Sequence, residues 1–158
     1  MLLINWSKLA RIFSLLMRDG KMRTLSIIIP VYFNEGSLQE LSHALDAAEQ
    51  KAKNISVRFE RIYVDDGSGD QSLRELKRIF DASSNSIVIE HSKNFGSFAA
   101  IHTGLKYATG DCVTLLSADL QEPPELINRM LDRWCAGHNV IVCQRTSRKD
   151  PFLTKAFA

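Results

Sequence analysis

Several common sequence signals are missing from this 158-residue chain. Its 20 basic and 18 acidic residues leave a formal charge of only +2, so no general nucleic-acid-binding surface is expected. The three cysteines have no CxxC spacing and no paired histidine nearby, which argues against a zinc site. All three lie in apolar stretches, and we interpret them as small core residues of a protein from a reducing compartment.

Glycine-rich phosphate loops and long apolar runs are missing too. Neither GxGxxG nor the P-loop pattern GxxxxGKS/T occurs, which disfavours an ordinary dinucleotide site and a P-loop. Lys8 and Arg11 interrupt the apolar start of the chain, so its longest uncharged run is far too short to span a bilayer. That start also lacks the charged beginning and the small-residue cleavage site of a secretory signal.

Residues 1–21 stand apart from the rest, and three interpretations of them stay open. They form an interfacial amphipathic helix, or they dock on the domain or on a partner, or they are an upstream extension with Met22 as the natural start. The first clear strand begins only at Leu25, which favours the extension. In the amphipathic interpretation one helix face carries Leu2, Trp6, Leu9, Phe13 and Leu16.

From residue 25 onward the apolar pattern alternates between strands and helices. With 45% hydrophobic and 24% charged residues, the chain can bury the core of one domain of ordinary size. The run LSIIIPV at 25–31 is typical of a strand buried on both faces. Further strands are predicted at 59–64, 86–90, 112–116 and 139–144. Helices are predicted between them at 37–52, 70–80, 96–108 and 123–135.

This order predicts an α/β fold, with a mainly parallel sheet and helices on both faces in three α/β/α layers. The first helix is predicted to bury Leu38, Leu41, Leu45 and Ala48. The second is predicted to bury Leu73, Leu76, Ile79 and Phe80.

In parallel sheets of this kind, ligands bind at the carboxyl ends of the strands. We therefore expect a binding site where polar clusters follow four strands, at 32–35, 65–70, 92–94 and 117–121.

Asp65 and Asp66, at the end of the second strand, are the strongest candidates for such a site. Two adjacent carboxylates at a buried strand end repel each other and are expensive to desolvate. A metal, a base N–H group or backbone donors of the turn should therefore compensate them. The alternative is a structural turn in which Asp66 and Ser68 bond local amides, followed by Asp70 as a helix cap.

The segment after the fourth strand is a candidate metal site. Ser117, Asp119 and Gln121 share one side if the chain stays extended, and a carboxylate with an amide oxygen there can hold a hard divalent cation beside a diphosphate. The alternative is a turn aspartate followed by a solvated glutamine.

Lys93, ahead of a helix that begins near Gly96, can place a charge near a phosphate or a base, or it is a surface lysine.

Two further groups of residues carry weaker indications. Tyr32 and Glu35 can contact a base and a ribose, although Glu35 fits equally well as a first-turn acid of the next helix. The histidines show no ligand spacing, and we interpret each as a surface or packed residue: His43, His91, His102 and His138.

Four stretches of the chain together resemble the family-2 inverting glycosyltransferases of the GT-A fold. They are SIIIPVYFNEGSL, IYVDDGSGDQS, HSKNFGSFAAIHTGL and ATGDCVTLLSADLQEPPELI. Within the family they are most similar to dolichol-phosphate mannose synthases and bacterial polyprenyl-phosphate glycosyltransferases. The likeness implies a Rossmann-like GT-A domain at 22–158 that is truncated at its C-terminal end, because related enzymes continue into an acceptor half.

The resemblance also implies roles for the matching residues. Asp65 reads the base edge, Asp66 supports its loop, and Asp119 with Gln121 binds Mg²⁺ or Mn²⁺. Ser117 stands where the family usually has the first aspartate of its metal motif, so the metal affinity should fall. Asp119 is the implied catalytic residue. The implied donor-binding set is Pro30, Val31, Tyr32, Glu35, Asp65, Asp66, Lys93, Gly96, Ser117, Ala118 and Asp119.

The implied reaction moves a sugar with inversion from a UDP- or GDP-sugar to a polyprenyl phosphate, such as undecaprenyl or dolichyl phosphate. Arg145 and Arg148 match an arginine-bearing stretch that binds the acceptor phosphate, or they form a solvated basic tail. The implied location is cytoplasmic, at the inner face of the membrane, with peripheral membrane contact of the full-length protein and a role in the cell envelope.

Three other functions stay open at this point. One is transfer to a glycan hydroxyl, and another is a non-catalytic nucleotide-binding fragment, which Ser117 favours. A dinucleotide oxidoreductase is the third and weakest, because the glycine fingerprint is absent.

Overall fold

The computed structural model of the protein describes residues 22–82 and 85–144. The segment 1–21 and the two candidate acceptor residues, Arg145 and Arg148, lie outside these ranges. Strands and helices alternate along the described chain, as predicted. They are β1 (Arg23–Val31), α1 (Leu38–Lys53), β2 (Val57–Asp65), α2 (Ser72–Ala82), β3 (Ser86–Glu90), α3 (Ser97–Tyr107), β4 (Cys112–Leu115) and α4 (Leu126–Cys135).

The four strands form one parallel sheet in the order β3-β2-β1-β4. Ile28 in β1 is in register with Ile62 on one side and with Leu115 on the other. At the carboxyl edge of the sheet, Asp65 lies beside Val31 in β1. The predicted parallel sheet is confirmed, and its topology brings the loops that follow β1, β2 and β4 to one edge.

Alternate side chains of β1 face two separate apolar layers. Ile27 and Ile29 belong to a cluster with residues of α1, α2 and α4, whereas Ile28 packs with β2 and with Ala100 of α3. Each of the three isoleucines is 0% exposed. The predicted burial of β1 on both faces is therefore confirmed, and so is the three-layer α/β/α arrangement.

The residues predicted to face the core are buried in α1, but only some of them are buried in α2. Leu38, Leu41 and Leu45 are fully buried, as expected. In α2, Ile79 is buried but Phe80 is 50% exposed, so the predicted inward position of Phe80 is wrong. Consecutive residues of a helix are turned by about 100°, which puts Phe80 off the stripe that contains Ile79. No helix within residues 22–82 and 85–144 combines the length and the apolar character needed to cross a membrane.

The predicted fifth strand at 139–144 is not formed. Val140 and Val142 are each 82% exposed. Cys143 is also exposed, which corrects its interpretation as a core residue, whereas Cys112 and Cys135 are partly buried. The apolar run indicated a buried strand, but β-branched residues form a strand only where a neighbouring strand pairs with them. The adjacent edge strand, β4, is only 4 residues long, and within the described sheet it pairs with β1 alone.

Helix α3 approaches the sheet closely at a glycine. A Cβ atom added to Gly104 would lie 2.5 Å from Ile28 Cγ2, although real Cβ atoms essentially never come this close to another heavy atom. Ile28 is fully buried between β2 and β4, so it has little room to move aside. The spacing between α3 and β1 therefore depends on the missing side chain.

Gly104→Ala is expected to destabilise the fold by about 1–2 kcal/mol, because the penalty of overpacking exceeds the gain of about 1 kcal/mol in helix propensity. Urea unfolding followed by circular dichroism measures the change. Gly36→Ala is the matched control, since apart from its own chain neighbours no described residue has an atom within 4 Å of the added Cβ. We expect the control to stay within about 0.5 kcal/mol of wild type. Equal unfolding free energies for the two variants would contradict the packing argument.

Candidate functional site

A cleft of about 510 Å³ opens at the carboxyl edge of the sheet. The ends of β1 and β4, the loop before α3 and the turn after β4 form its walls. The candidate donor-binding residues that line it are Pro30, Val31, Tyr32, Asp66, Gly96, Ser117, Ala118 and Asp119. Four other candidate residues do not line it, namely Glu35, Asp65, Lys93 and Gln121.

Asp66, immediately after β2, is 2% exposed, yet both of its carboxylate oxygens have partners. Oδ1 accepts the Phe95 N–H at 2.9 Å and contacts His91 Nδ1 at 2.8 Å, while Oδ2 accepts the Gly96 N–H at 2.7 Å. Burial by itself raises the pKa of Asp66, but these hydrogen bonds outweigh it and hold the pKa below its usual range. The side chain is thus an ionised acceptor that ties the end of β2 to the loop before α3.

The same two segments meet again at Gly67. This residue has φ 70°, in the left-handed region that favours glycine. A Cβ atom there would also lie 2.5 Å from the backbone carbonyl carbon of Lys93. Backbone conformation and close approach therefore both require glycine at this position.

Asp65 is buried like Asp66 but is only half satisfied by the protein. It is 1% exposed, and its Oδ2 accepts the Ser68 N–H at 3.2 Å. Within residues 22–82 and 85–144, its Oδ1 is buried without a hydrogen-bond partner, a situation that normally costs about 1–3 kcal/mol or more. Asp65 lies beside Val31 in the sheet and beside Asp66 in the chain, and both of these line the cleft. A local turn accounts for Oδ2 alone, whereas Oδ1 suits a ligand that brings an N–H donor.

Hydrogen bonds join the loop after β1 to the start of α2. Asp70 Oδ1 accepts the Ser72 N–H at 3.0 Å, so the predicted helix cap is confirmed. Asp70 Oδ2 accepts the Glu35 N–H at 3.3 Å, and Glu35 Oε2 accepts the Gln71 N–H at 2.7 Å. The Glu35 carboxylate thus bonds the start of α2, in keeping with its position outside the cleft lining.

The chain turns after β4 instead of staying extended. Leu120 has φ 59°, and Asp119 Oδ1 accepts the Gln121 N–H at 3.1 Å. The predicted one-sided arrangement of Ser117, Asp119 and Gln121, which needs an extended chain, is therefore wrong. Glu122 lines the cleft instead, and its Oε2 accepts the Ser117 N–H at 3.3 Å. Glu122 is not among the site residues predicted from the sequence.

This turn offers a divalent cation a partial set of ligands. The carboxylates of Asp119 and Glu122 and the hydroxyl of Ser117 are hard oxygen donors of the kind that Mg²⁺ and Mn²⁺ prefer. Mg²⁺ takes about six oxygen ligands, so these residues fit the ion only together with phosphate and water oxygens. In the part of the chain that the structure describes, no group of three or more His, Cys, Asp or Glu side chains is placed to hold a metal.

Residues 26–157 match the family described as glycosyl transferase family 2. The chain belongs to glycosyl transferase family 2. Over 136 residues this family-2 chain is 34% identical to the undecaprenyl-phosphate 4-deoxy-4-formamido-L-arabinose transferase of Klebsiella pneumoniae (strain 342). That alignment covers 85% of this chain and 41% of the relative. The family-2 chain therefore spans about two fifths of the length of the curated relatives it matches first.

Solved structures share the fold of the family-2 chain. S. aureus TarS 1-349 in complex with UDP-GlcNAc has 30% sequence identity and a TM-score of 0.52, over 61% of this chain and 26% of that TarS chain. The mannosyltransferase PcManGT from Pyrobaculum calidifontis, in complex with GDP-Man and Mn²⁺, has 25% identity and a TM-score of 0.50, over 61% of this chain and 27% of PcManGT. The predicted family and its GT-A fold are confirmed.

Asp66→Asn is expected to lower the free energy of unfolding by about 2 kcal/mol near neutral pH, since hydrogen bonds to a charged group contribute ~1.5–3 kcal/mol. Because folding depresses the pKa of Asp66, its contribution is complete above about pH 5 and is lost as the pH falls below about 4. The gap between wild type and variant should therefore close on acidification. Urea titrations at several pH values measure it.

Asp81→Asn is the matched control, because Asp81 is an exposed carboxylate of α2. We expect it to leave the unfolding free energy within about 0.5 kcal/mol of wild type throughout. A gap for Asp66→Asn that stays constant from neutral to acidic pH would contradict the assignment of an ionised, hydrogen-bonded carboxylate.

Proposed function

We propose that this chain is the donor-binding part of an inverting glycosyltransferase that uses a UDP- or GDP-sugar. The observation that carries the proposal is the buried Oδ1 of Asp65, which has no hydrogen-bond partner among the described residues and lies beside the cleft of a family-2 chain. Uracil and guanine both present N–H groups on their base edges, so either base can donate to this oxygen. A charge-assisted hydrogen bond of this kind compensates the carboxylate and selects the base at once.

The rest of the donor is proposed to lie along the cleft. Val31 and Tyr32 pack against the base, and the N-terminal end of α3 at Gly96 faces a phosphate with its positive dipole end. Lys93 is exposed, with its Nζ 5.3 Å from the centroid of the Phe95 ring, and it offsets phosphate charge. The UDP-GlcNAc in TarS and the GDP-Man in PcManGT support a donor of this chemical class.

Asp119 is proposed to hold Mg²⁺ or Mn²⁺ and to be the catalytic residue, with Gln121 and Glu122 of the same turn nearby. The metal, when bound, offsets the charge that develops on the leaving diphosphate. The Mn²⁺ in PcManGT supports this assignment. Ser117 offers a hydroxyl where an anionic ligand would bind more tightly, so we expect weak metal affinity.

The proposed acceptor is a polyprenyl phosphate. One of its phosphate oxygens attacks the anomeric carbon from the face opposite the nucleotide, and the bond from that carbon to the diphosphate breaks. The acceptor phosphate is already ionised at neutral pH, so the step needs no general base. The name of the Klebsiella relative supports this acceptor class. Arg145 and Arg148 are proposed to bind the acceptor phosphate, in a longer protein that works at the cytoplasmic face of the membrane.

Ser117 favours a second candidate, a domain that binds nucleotide without transferring a sugar. It removes one anionic metal ligand from a turn whose described residues offer two carboxylates to the cleft, Asp119 and Glu122. Release of UDP or GDP from its sugar in the presence of Mn²⁺ and a polyprenyl phosphate distinguishes the two candidates, because only the transferase produces it.

Asp65→Asn is expected to weaken the binding of UDP or GDP by about tenfold, since a neutral amide replaces a charged acceptor. Isothermal titration calorimetry with both nucleotides, with and without Mn²⁺, measures the dissociation constants. Asp81→Asn is the control, because it makes the same change at an exposed carboxylate of α2. We expect this control to stay within about threefold of wild type. Binding of neither nucleotide to wild type would refute the proposed function.

Ser117→Asp is expected to increase the effect of Mn²⁺ on nucleotide affinity by about tenfold, because it adds an anionic ligand beside Asp119. The ratio of dissociation constants with and without Mn²⁺ is the measured quantity. Ser97→Asp places the same charge elsewhere in the cleft lining and should weaken binding in both conditions. If Ser117→Asp behaves like Ser97→Asp, the turn after β4 is not the metal site.

A further inference from the structure

His91 joins three parts of the fold that meet beside the cleft. It follows β3, and its main-chain N–H donates to the carbonyl oxygen of Asp65 at 2.8 Å. Its ring contacts Asp66 Oδ1 through Nδ1 at 2.8 Å and Thr103 Oγ1 of α3 through Nε2 at 2.9 Å. The side chain is 12% exposed, so the sequence interpretation of a packed histidine holds but gives these contacts no role.

Both ring nitrogens of His91 are engaged. The Asp66 carboxylate is ionised and only accepts hydrogen bonds, so Nδ1 carries a proton and donates it. Nε2 either accepts a hydrogen bond from the Thr103 hydroxyl or donates one to it, because a hydroxyl can do both. The orientation of the ring is therefore held from both ends in either charge state.

The carboxylate that His91 contacts is the one that holds the loop 93–96. Asp66 accepts the main-chain N–H groups of Phe95 and Gly96. The His91 ring also meets the Phe95 ring edge to face, with 5.5 Å between the ring centroids. Asn94 and Gly96 of the same loop line the cleft. A displacement of the Asp66 carboxylate would therefore move one wall of the cleft.

We propose that His91 is a positioning residue of the donor site, which links Thr103 of α3 to Asp66 and thereby fixes the loop 93–96 for nucleotide binding. This inference rests on the proposed function, because it assumes that the cleft takes a nucleotide. Both ring nitrogens of His91 are already engaged by Asp66 and Thr103, so it acts through Asp66 and not by contact with the nucleotide. Removal of the His91 side chain should make the loop 93–96 more mobile and thereby weaken nucleotide binding.

Two substitutions separate the hydrogen bond of His91 from its packing. Leucine keeps apolar volume but has no donor, whereas asparagine places an amide N–H near the position of Nδ1. His91→Leu is expected to accelerate amide hydrogen exchange at Phe95 and Gly96 by about tenfold, and to raise the dissociation constant of UDP or GDP by a similar factor. His91→Asn is expected to stay within about threefold of wild type in both measurements.

Two further variants complete the test. His102→Leu is the control, because His102 lies on the exposed face of α3 next to Thr103, and it should change neither quantity. Thr103→Val removes the partner of Nε2 at nearly constant volume, and it should shift both quantities in the same direction as His91→Leu but less. This variant keeps the proposal testable even where His91→Leu does not fold.

A folded His91→Leu variant that stays as close to wild type as His91→Asn in both measurements would show that the hydrogen bond to Asp66 is not needed, and would overturn the proposal. Unchanged amide exchange at Phe95 and Gly96 in a folded His91→Leu variant would overturn it as well. If wild type binds neither nucleotide, the proposed function fails. The exchange rates at these two amides still decide whether His91 positions the loop.

Discussion

The ionised carboxylate of Asp66, buried at the carboxyl edge of the sheet, is the constraint on which the site depends. A carboxylate without partners in such a place costs several kcal/mol, so donors must surround it. Here they come from the loop before α3, through the amides of Phe95 and Gly96, and from His91. Phe95 itself is 55% exposed, so electrostatics and not apolar burial determines where this wall of the cleft lies.

Asp65 and Asp66 are adjacent aspartates in the sequence, but their carboxylates differ in their hydrogen-bond partners. Both carboxylate oxygens of Asp66 have partners within the protein, which makes it a structural support. Asp65 keeps one buried oxygen without a partner in the described part of the chain, and this is the oxygen that the proposed nucleotide would satisfy. Asp65 is the last residue of β2 and bonds the turn that follows it, whereas Asp66 lies just beyond the strand and bonds the loop before α3, so the two adjacent carboxylates have different surroundings.

The apolar periodicity of the sequence was enough to predict the alternating strands and helices. It was not enough where strand formation depends on pairing with a neighbouring strand. The isoleucines of β1 indicated a strand buried on both faces, and such strands are typical of a parallel sheet covered by helices. The segment 139–144 has the same apolar character, but no strand of the described sheet pairs with it. In the site, Asp65 and Asp66 were found because adjacent acids after an apolar strand are unusual. Glu122 and His91 were not predicted as site residues. The position of Glu122 depends on the turn at Leu120, and the role of His91 depends on a contact with α3. The spacing of residues in the sequence indicates neither.

A crystal structure of the chain with UDP or GDP tests the central claim most directly. We expect a ring nitrogen of the base to donate its N–H to Oδ1 of Asp65, with about 2.7–3.1 Å between the two atoms, and the loop 93–96 to stay bonded to Asp66. A nucleotide bound elsewhere, or bound in the cleft with this oxygen still unpaired, would contradict it.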